Sequence, residues 1–181
     1  MLNGLRALRM GGREVLPLVE GGKGVAATNH KSSGAWAATG GVGTISAVNA
    51  DSYDAEGKII RQVYEQMTRR ERHEQLIQYG IDGGVQQVRR AYEMAEGTLS
   101  KGIGAINVNV LWEMGGAQQV LVGVLEGAKG LVNGVTCGAG MPYKLSELAA
   151  HHQVFYYPSS SSARAFRALW KRAYSKESAW L

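Results

Sequence analysis

The sequence predicts an α/β fold built on a parallel sheet, and three observations carry that expectation. Five short apolar runs, most of them rich in β-branched residues, alternate with helix-like segments along the 181 residues. The runs lack the regular apolar–polar alternation of a sheet with one wet face, as expected of strands covered on both sides. Turn-forming glycines gather where the runs stop, at Gly21-Gly22, at Gly40-Gly41, around Gly102 and Gly104, and at Gly138 and Gly140.

The first strand is expected at 15–20 (VLPLVE). A helix follows over 31–39 (KSSGAWAAT), with Asn29 placed to cap it. A second strand is expected at 42–47 (VGTISA), and a long charged connection runs from Asn49 to about Gly57. Within 71–96, Ile77, Ile81, Val85, Val88 and Tyr92 recur at helical spacing and form one stripe. Gly83 and Gly84 each weaken that helix by about 1 kcal/mol relative to alanine, so a kink or break is expected there. This elaborated segment near 50–100 exceeds an ordinary crossover and is expected to form a helical hairpin. Strands at 104–111, 132–138 and 153–158 and helices at 113–128 and 161–174 complete the set, the last with a basic C-terminal end that suits the helix dipole. Strand then helix, repeated about five times, is the form of an open doubly wound sheet or of a (β/α)8 barrel.

With 45% apolar residues the chain suffices for one domain spanning 1–181. No apolar run approaches the ~20 residues of a membrane span, and "MLNGLRALRMGGREVL" has no apolar core followed by a cleavage site. A single cysteine, Cys137, excludes an intramolecular disulfide and suits a reducing, cytoplasmic setting. The net charge of +5 does not imply nucleic acid. Basic residues are interleaved with acids in "TRRERHEQ" and collect only in "RAFRALWKRAYSK", which reads as a solvated helix face. Neither nucleic acid nor a membrane is expected as a partner.

Gly21, Gly22, Lys23 and Gly24 fit neither a phosphate loop nor a dinucleotide fingerprint. They are either a tight turn or a backbone platform for a flat ring system. A second cluster, "CGAGMP" (137–142), also follows a strand, and in a parallel barrel both clusters lie on the C-terminal rim. Asn107 and Asn109 share one face of the strand "AINVNVL", and each is either a structural hydrogen-bonding group or an anchor for a polar ring edge. Cys137 reads as a buried, inert thiol. His30 is a helix-entry residue or a titrating group near the first rim, His73 is expected to be solvated, and His151-His152 to end a helix. Trp112, Glu113 and Met114 either line a cavity or pack at a helix start.

The stretches "GGKGVAATNHKSSGAWAATGGVGTIS", "INVNVLWEMGGAQQV", "VTCGAGMPYKL" and "SSARAFRALWKRAY" resemble the nitronate monooxygenase family over residues 5 to 175. The resemblance implies a TIM barrel that binds FMN non-covalently and oxidises alkyl nitronates with dioxygen. It implies that Gly21, Gly22, Lys23 and Gly24 hold the isoalloxazine ring through backbone groups, that Asn109 contacts it, and that Gly138, Ala139 and Gly140 form the rim beside it. Lys23 stands where the family usually has methionine, and a cation there would favour the reduced, anionic flavin. Family members are about twice as long. The Gly-Gly-His motif that carries their catalytic base and the glycine loops that hold the FMN phosphate have no counterpart in the chain. The expectation is an N-terminal portion with about five β/α units of an incomplete barrel, with no catalytic base of its own, inactive alone, and capable of pairing with a second copy through open sheet edges. Two other readings stand beside it, a flavin-dependent enoyl reductase and a non-catalytic α/β binding or assembly module.

Overall fold

The computed structural model describes residues 4–63, 68–138 and 140–177. It opens with a two-stranded antiparallel hairpin, β1 (Leu8–Met10) and β2 (Arg13–Val15). There follow α1 (His30–Ala38), β3 (Val42–Ser46), α2 (Arg69–Leu99), β4 (Ala105–Leu111), α3 (Ala117–Gly127), β5 (Gly134–Gly138), α4 (Leu145–His151), β6 (Phe155–Pro158) and α5 (Ala163–Glu177). Strands β3, β4, β5 and β6 form one parallel sheet in sequential order, flanked by helices. The α/β expectation therefore holds, and among the described residues the sheet does not close on itself.

The expected strand at 15–20 is divided. Val15 ends the hairpin, and only residues 18–20 reach the outer edge of β3, where Val42 N–H donates to Leu18 O and Glu20 N–H donates to Val42 O. Pro17 is the physical reason. It has no N–H for a ladder, and Leu18 N–H turns back to Leu16 O across it at 2.7 Å. The hairpin was not anticipated from the sequence; it turns at Gly11-Gly12, whose φ values of 57° and 75° are those of a two-residue turn favoured by glycine.

Asn29 caps α1 as expected, accepting from Lys31 N–H, with Ser32 closing the capping box. In contrast, α2 is one uninterrupted helix of 31 residues rather than a broken helix or a hairpin. Its glycines serve close packing. A Cβ on Gly83 would collide with the carbonyl oxygen of Ala50, and one on Gly84 would lie 2.5 Å from Val124 Cγ2. The converse arrangement joins α2 to α3. Ile77, Ile81 and Val85, members of the expected stripe, lie over Gly116, Gly123 and Gly127, where a Cβ would meet them.

One face of the sheet presents Ile45, Ile106, Val108, Val110, Val135, Cys137 and Tyr156 to α2, α3 and α4, and these form the main core. By strand alternation the other face carries Val42, Thr44 and Ser46 of β3, Asn107 and Asn109 of β4, and Thr136 of β5. The hairpin covers the N-terminal end of that second face. Arg13 Nε donates to Gly104 O at 2.6 Å and its Nη2 to Leu99 O at 2.5 Å, while Met10 and Val15 pack with Val42 and Ala105. The C-terminal end of the same face remains for other work.

Candidate functional site at the C-terminal rim

The loop that leaves residue 20 is anchored at both ends. The Glu20 carboxylate accepts from Ser33 Oγ at 2.8 Å and from Thr44 N–H at 2.9 Å, which fixes the start. At the far end Lys23 N–H donates to Thr28 Oγ1 at 3.1 Å, Thr28 N–H returns to Lys23 O, and Ser46 N–H donates to Thr28 O. Between the anchors Val25 and Ala26 adopt left-handed conformations, with φ of 35° and 54°. Such conformations cost on the order of 1–3 kcal/mol each and persist only where the surroundings hold them. The Ala26 N–H bond to Val48 O is one such restraint.

This anchoring lays Gly22 against Asn109. A Cβ on Gly22 would fall onto Asn109 Cβ and lie 2.5 Å from its Cγ and 3.1 Å from its Nδ2. Asn109 is 8% exposed, and its Oδ1 accepts from Thr136 Oγ1 at 2.9 Å. That bond orients the amide and leaves Nδ2, beside Gly22, without a hydrogen bond among the described residues. The N–H groups of Gly21, Gly22 and Gly24 are likewise uncommitted, whereas that of Lys23 is held by Thr28. The platform therefore offers three backbone donors and one side-chain donor at the strand ends.

The remaining rim residues extend this edge. Gly24 approaches Val48 and Leu111, and Leu111 is in register with Gly138. Gly140 follows at φ +95°, beside Glu113 Cγ. Ala139 lies outside the described residues. The structure thus brings Gly22, Gly24, Asn109 and Gly138 together along one edge, with Gly21 and Lys23 exposed above it.

Asn107 differs from Asn109. It is 1% exposed, and both its Oδ1 and Nδ2 lack a hydrogen bond, as does Oγ1 of Thr44, its register partner on β3. Buried polar atoms are normally paired, so this pair forms an unsatisfied polar layer beneath the rim.

His30 does not join the site. Its ring meets Tyr53 edge-on at 5.1 Å, its backbone N–H donates to Gln87 Oε1, and burial together with the positive charges of Arg90 and Lys31 lowers its pKa. The His73 ring is exposed and lies against Gly115. His151 ends α4 and packs edge-on against His152. Cys137 is buried in the core, and desolvation pushes its thiol up to about 11, so it is no nucleophile near neutral pH. Among the described residues no group of three or more His, Cys, Asp or Glu is placed to hold a metal ion. None of their helices is long and apolar enough to cross a membrane.

Trp112 and Met114 do line cavities. Met114 borders a small one of about 150 Å³ with Asn49, His73 and Ile77. Trp112 borders an open groove of about 940 Å³ between the loop after β5, α4 and α5. Thr136 was missed in the sequence. Its signal was the register that pairs it with Asn109, which becomes visible only once the strands are aligned.

No family model matches the chain, and no curated protein matches it.

Proposed function

We propose that the chain is part of the (β/α)-barrel class and that its C-terminal rim holds the isoalloxazine ring of FMN for the oxidation of alkyl nitronates by dioxygen. The barrel reading is supported by sequential strand order. Doubly wound sheets reverse their order at a switch point, whereas the strands of a barrel follow one another. The observation that carries the flavin reading is Gly22 laid against Asn109, whose amide is oriented by Thr136. A flat ring with acceptors at its edge fits such a place, because glycine removes the side chain that would hold it off and the free donors meet its polar rim. The nitronate and dioxygen rest on the sequence resemblance.

When bound, FMN supplies electron acceptance from the substrate and electron delivery to dioxygen. The chain's own groups bind and orient. The N–H groups of Gly21, Gly22 and Gly24 and Asn109 Nδ2 would donate to the ring edge, and Lys23 would add a positive charge at the rim. Cys137, embedded in the core, takes no part. The test is the visible spectrum of purified protein after addition of FMN and removal of the excess. A retained, structured flavin band is expected, with affinity reduced about threefold to tenfold by Asn109→Ala, the worth of one neutral hydrogen bond. A colourless protein would refute the reading. Nitronate turnover is then measured separately from binding.

A further inference from the structure

We propose that α5 is a strap laid across the C-terminal rim, which must swing away for a flat ligand to enter or leave. The ligand rests on the flavin reading of the rim, and the strap on the path of α5. In an ordinary β/α unit the helix runs back along its strand, so its far end comes down beside the strands' N-terminal ends. Helix α5 takes another course. It leaves β6 at the rim through residues 159–162, yet its tenth residue, Arg172, stays at the rim. There the Arg172 guanidinium lies 4.0 Å from the centre of the Tyr143 ring, in the loop just before α4. Ala168, Lys171 and Arg172 also share one groove with Met141 and with Trp112, the residue after β4. The lengths agree. Nine helical steps reach about 13 Å, and β4 stands two strands from β6, a separation of about 10 Å.

The strap is lightly held. Within 163–172 only Leu169 is buried, and it lies outside the main core. Residues 159–162 are all exposed, and Ser162 Oγ accepts from Ala165 N–H at 3.1 Å, so the connection ends sharply at the helix cap. At the far end the cation–π contact of Arg172 with Tyr143 fastens the helix to the loop. Elements with few buried contacts are those that open locally. The groove beneath, of about 940 Å³, starts where the platform ends. Trp112 N–H donates to Gly138 O at 3.2 Å, and Met141 follows Gly140. A ring seated over Asn109 and extending past Gly138 would therefore come under α5.

The experiment uses trypsin and FMN on the full chain. Cleavage after Arg167 and Lys171, read from the fragment masses, reports the opening of α5. Tyr143→Ala should speed that cleavage about threefold by removing the cation–π contact, and Tyr143→Phe, which keeps the aromatic face, should behave like the parent. FMN should slow cleavage of the parent. Stopped-flow quenching of flavin fluorescence then separates a strap from a simple contact. The fastening is present with and without ligand, so Tyr143→Ala should raise the association and dissociation rates together, each about threefold, and leave Kd unchanged. If FMN binds but Tyr143→Ala matches the parent in cleavage and in both rates, the strap is overturned and the rim reading stands. A faster dissociation alone would overturn it too, by making Tyr143 a contact of the ligand. If no flavin binds, the rim reading falls and the strap falls with it, whatever the protease shows.

Discussion

Replacing Gly22 by alanine tests the contact on which the site is built. The φ of Gly22 lies outside the left-handed region, so alanine is allowed by the backbone. With no steric obstacle it would stabilise by about 0.4–1 kcal/mol through the unfolded chain. The obstacle is Asn109, with Cγ 2.5 Å and Nδ2 3.1 Å from the new methyl. Either the loop lifts, straining the Glu20 and Thr28 anchors, or Asn109 rotates and loses Thr136. Overpacking of this kind costs about 1–3 kcal/mol, and the lost hydrogen bond about 0.5–1.5 kcal/mol. At about 2–4 °C per kcal/mol for a domain of this size, Gly22→Ala should melt several degrees below the parent by circular dichroism. Gly21→Ala is the matched control, because a Cβ there meets nothing within 4 Å. A double-mutant cycle with Asn109→Gly, which removes both the struck Cβ and the amide, should show coupling above about 1 kcal/mol. Equal melting of Gly21→Ala and Gly22→Ala, with an additive cycle, would refute the contact and the platform with it.

The α2 glycines supply a second contrast by thermal melting. Gly83→Ala should destabilise by about 1–3 kcal/mol although alanine is the better helix former, because its methyl meets Ala50 O. Gly97→Ala, in the same helix with nothing within 4 Å, should stabilise by up to about 1 kcal/mol. Cys137 should resist thiol reagents at neutral pH until the chain is unfolded, a difference read by absorbance of the released thiolate. Its folded pKa of about 11 stands above the ordinary 9.0, and burial also raises Tyr156 and Tyr157. In the window from about 9 to 11 the unfolded chain gives up the Cys137 proton first. The stability that this group contributes is therefore intact below that window and lost as pH rises through it, which alkaline denaturation curves would show. Asn107→Val should leave stability equal or higher, since both polar atoms of that amide are buried without partners. A large loss of stability would mean that the amide is paired in solution.

The parallel sheet was legible because its apolar runs and glycine punctuation agree, and β3, β4, β5 and β6 fall within two residues of expectation at each end. What failed was governed by single residues acting locally. Pro17 divided the first strand, and two three-residue strands were too short to show periodicity. In α2, propensity read Gly83 and Gly84 as weakness, whereas tertiary packing uses their missing side chains. His30 was ambiguous because sequence shows that it enters a helix but not which side of the sheet its ring meets. The three glycines of the first cluster look alike in sequence. Only the placement of Asn109 distinguishes Gly22, which needs its glycine, from Gly21, which does not.

The division of labour in the sheet runs along its strands as well as across them. Parallel strands are usually apolar on both faces, yet here the second face passes through three environments. At the N-terminal end Val42 and Ala105 are sealed by Met10 and Val15. One layer on, Thr44 and Asn107 are buried and unpaired. At the C-terminal end Ser46, Asn109 and Thr136 surround an amide held in one orientation. Polar groups on a covered face weaken a fold unless they are paired or used. Only the last layer combines an oriented donor with a side-chain-free approach over Gly22. Apolar sealing thus concentrates where the strands begin and the oriented donor where they end, and a ligand entering from the C-terminal side would meet the oriented layer first.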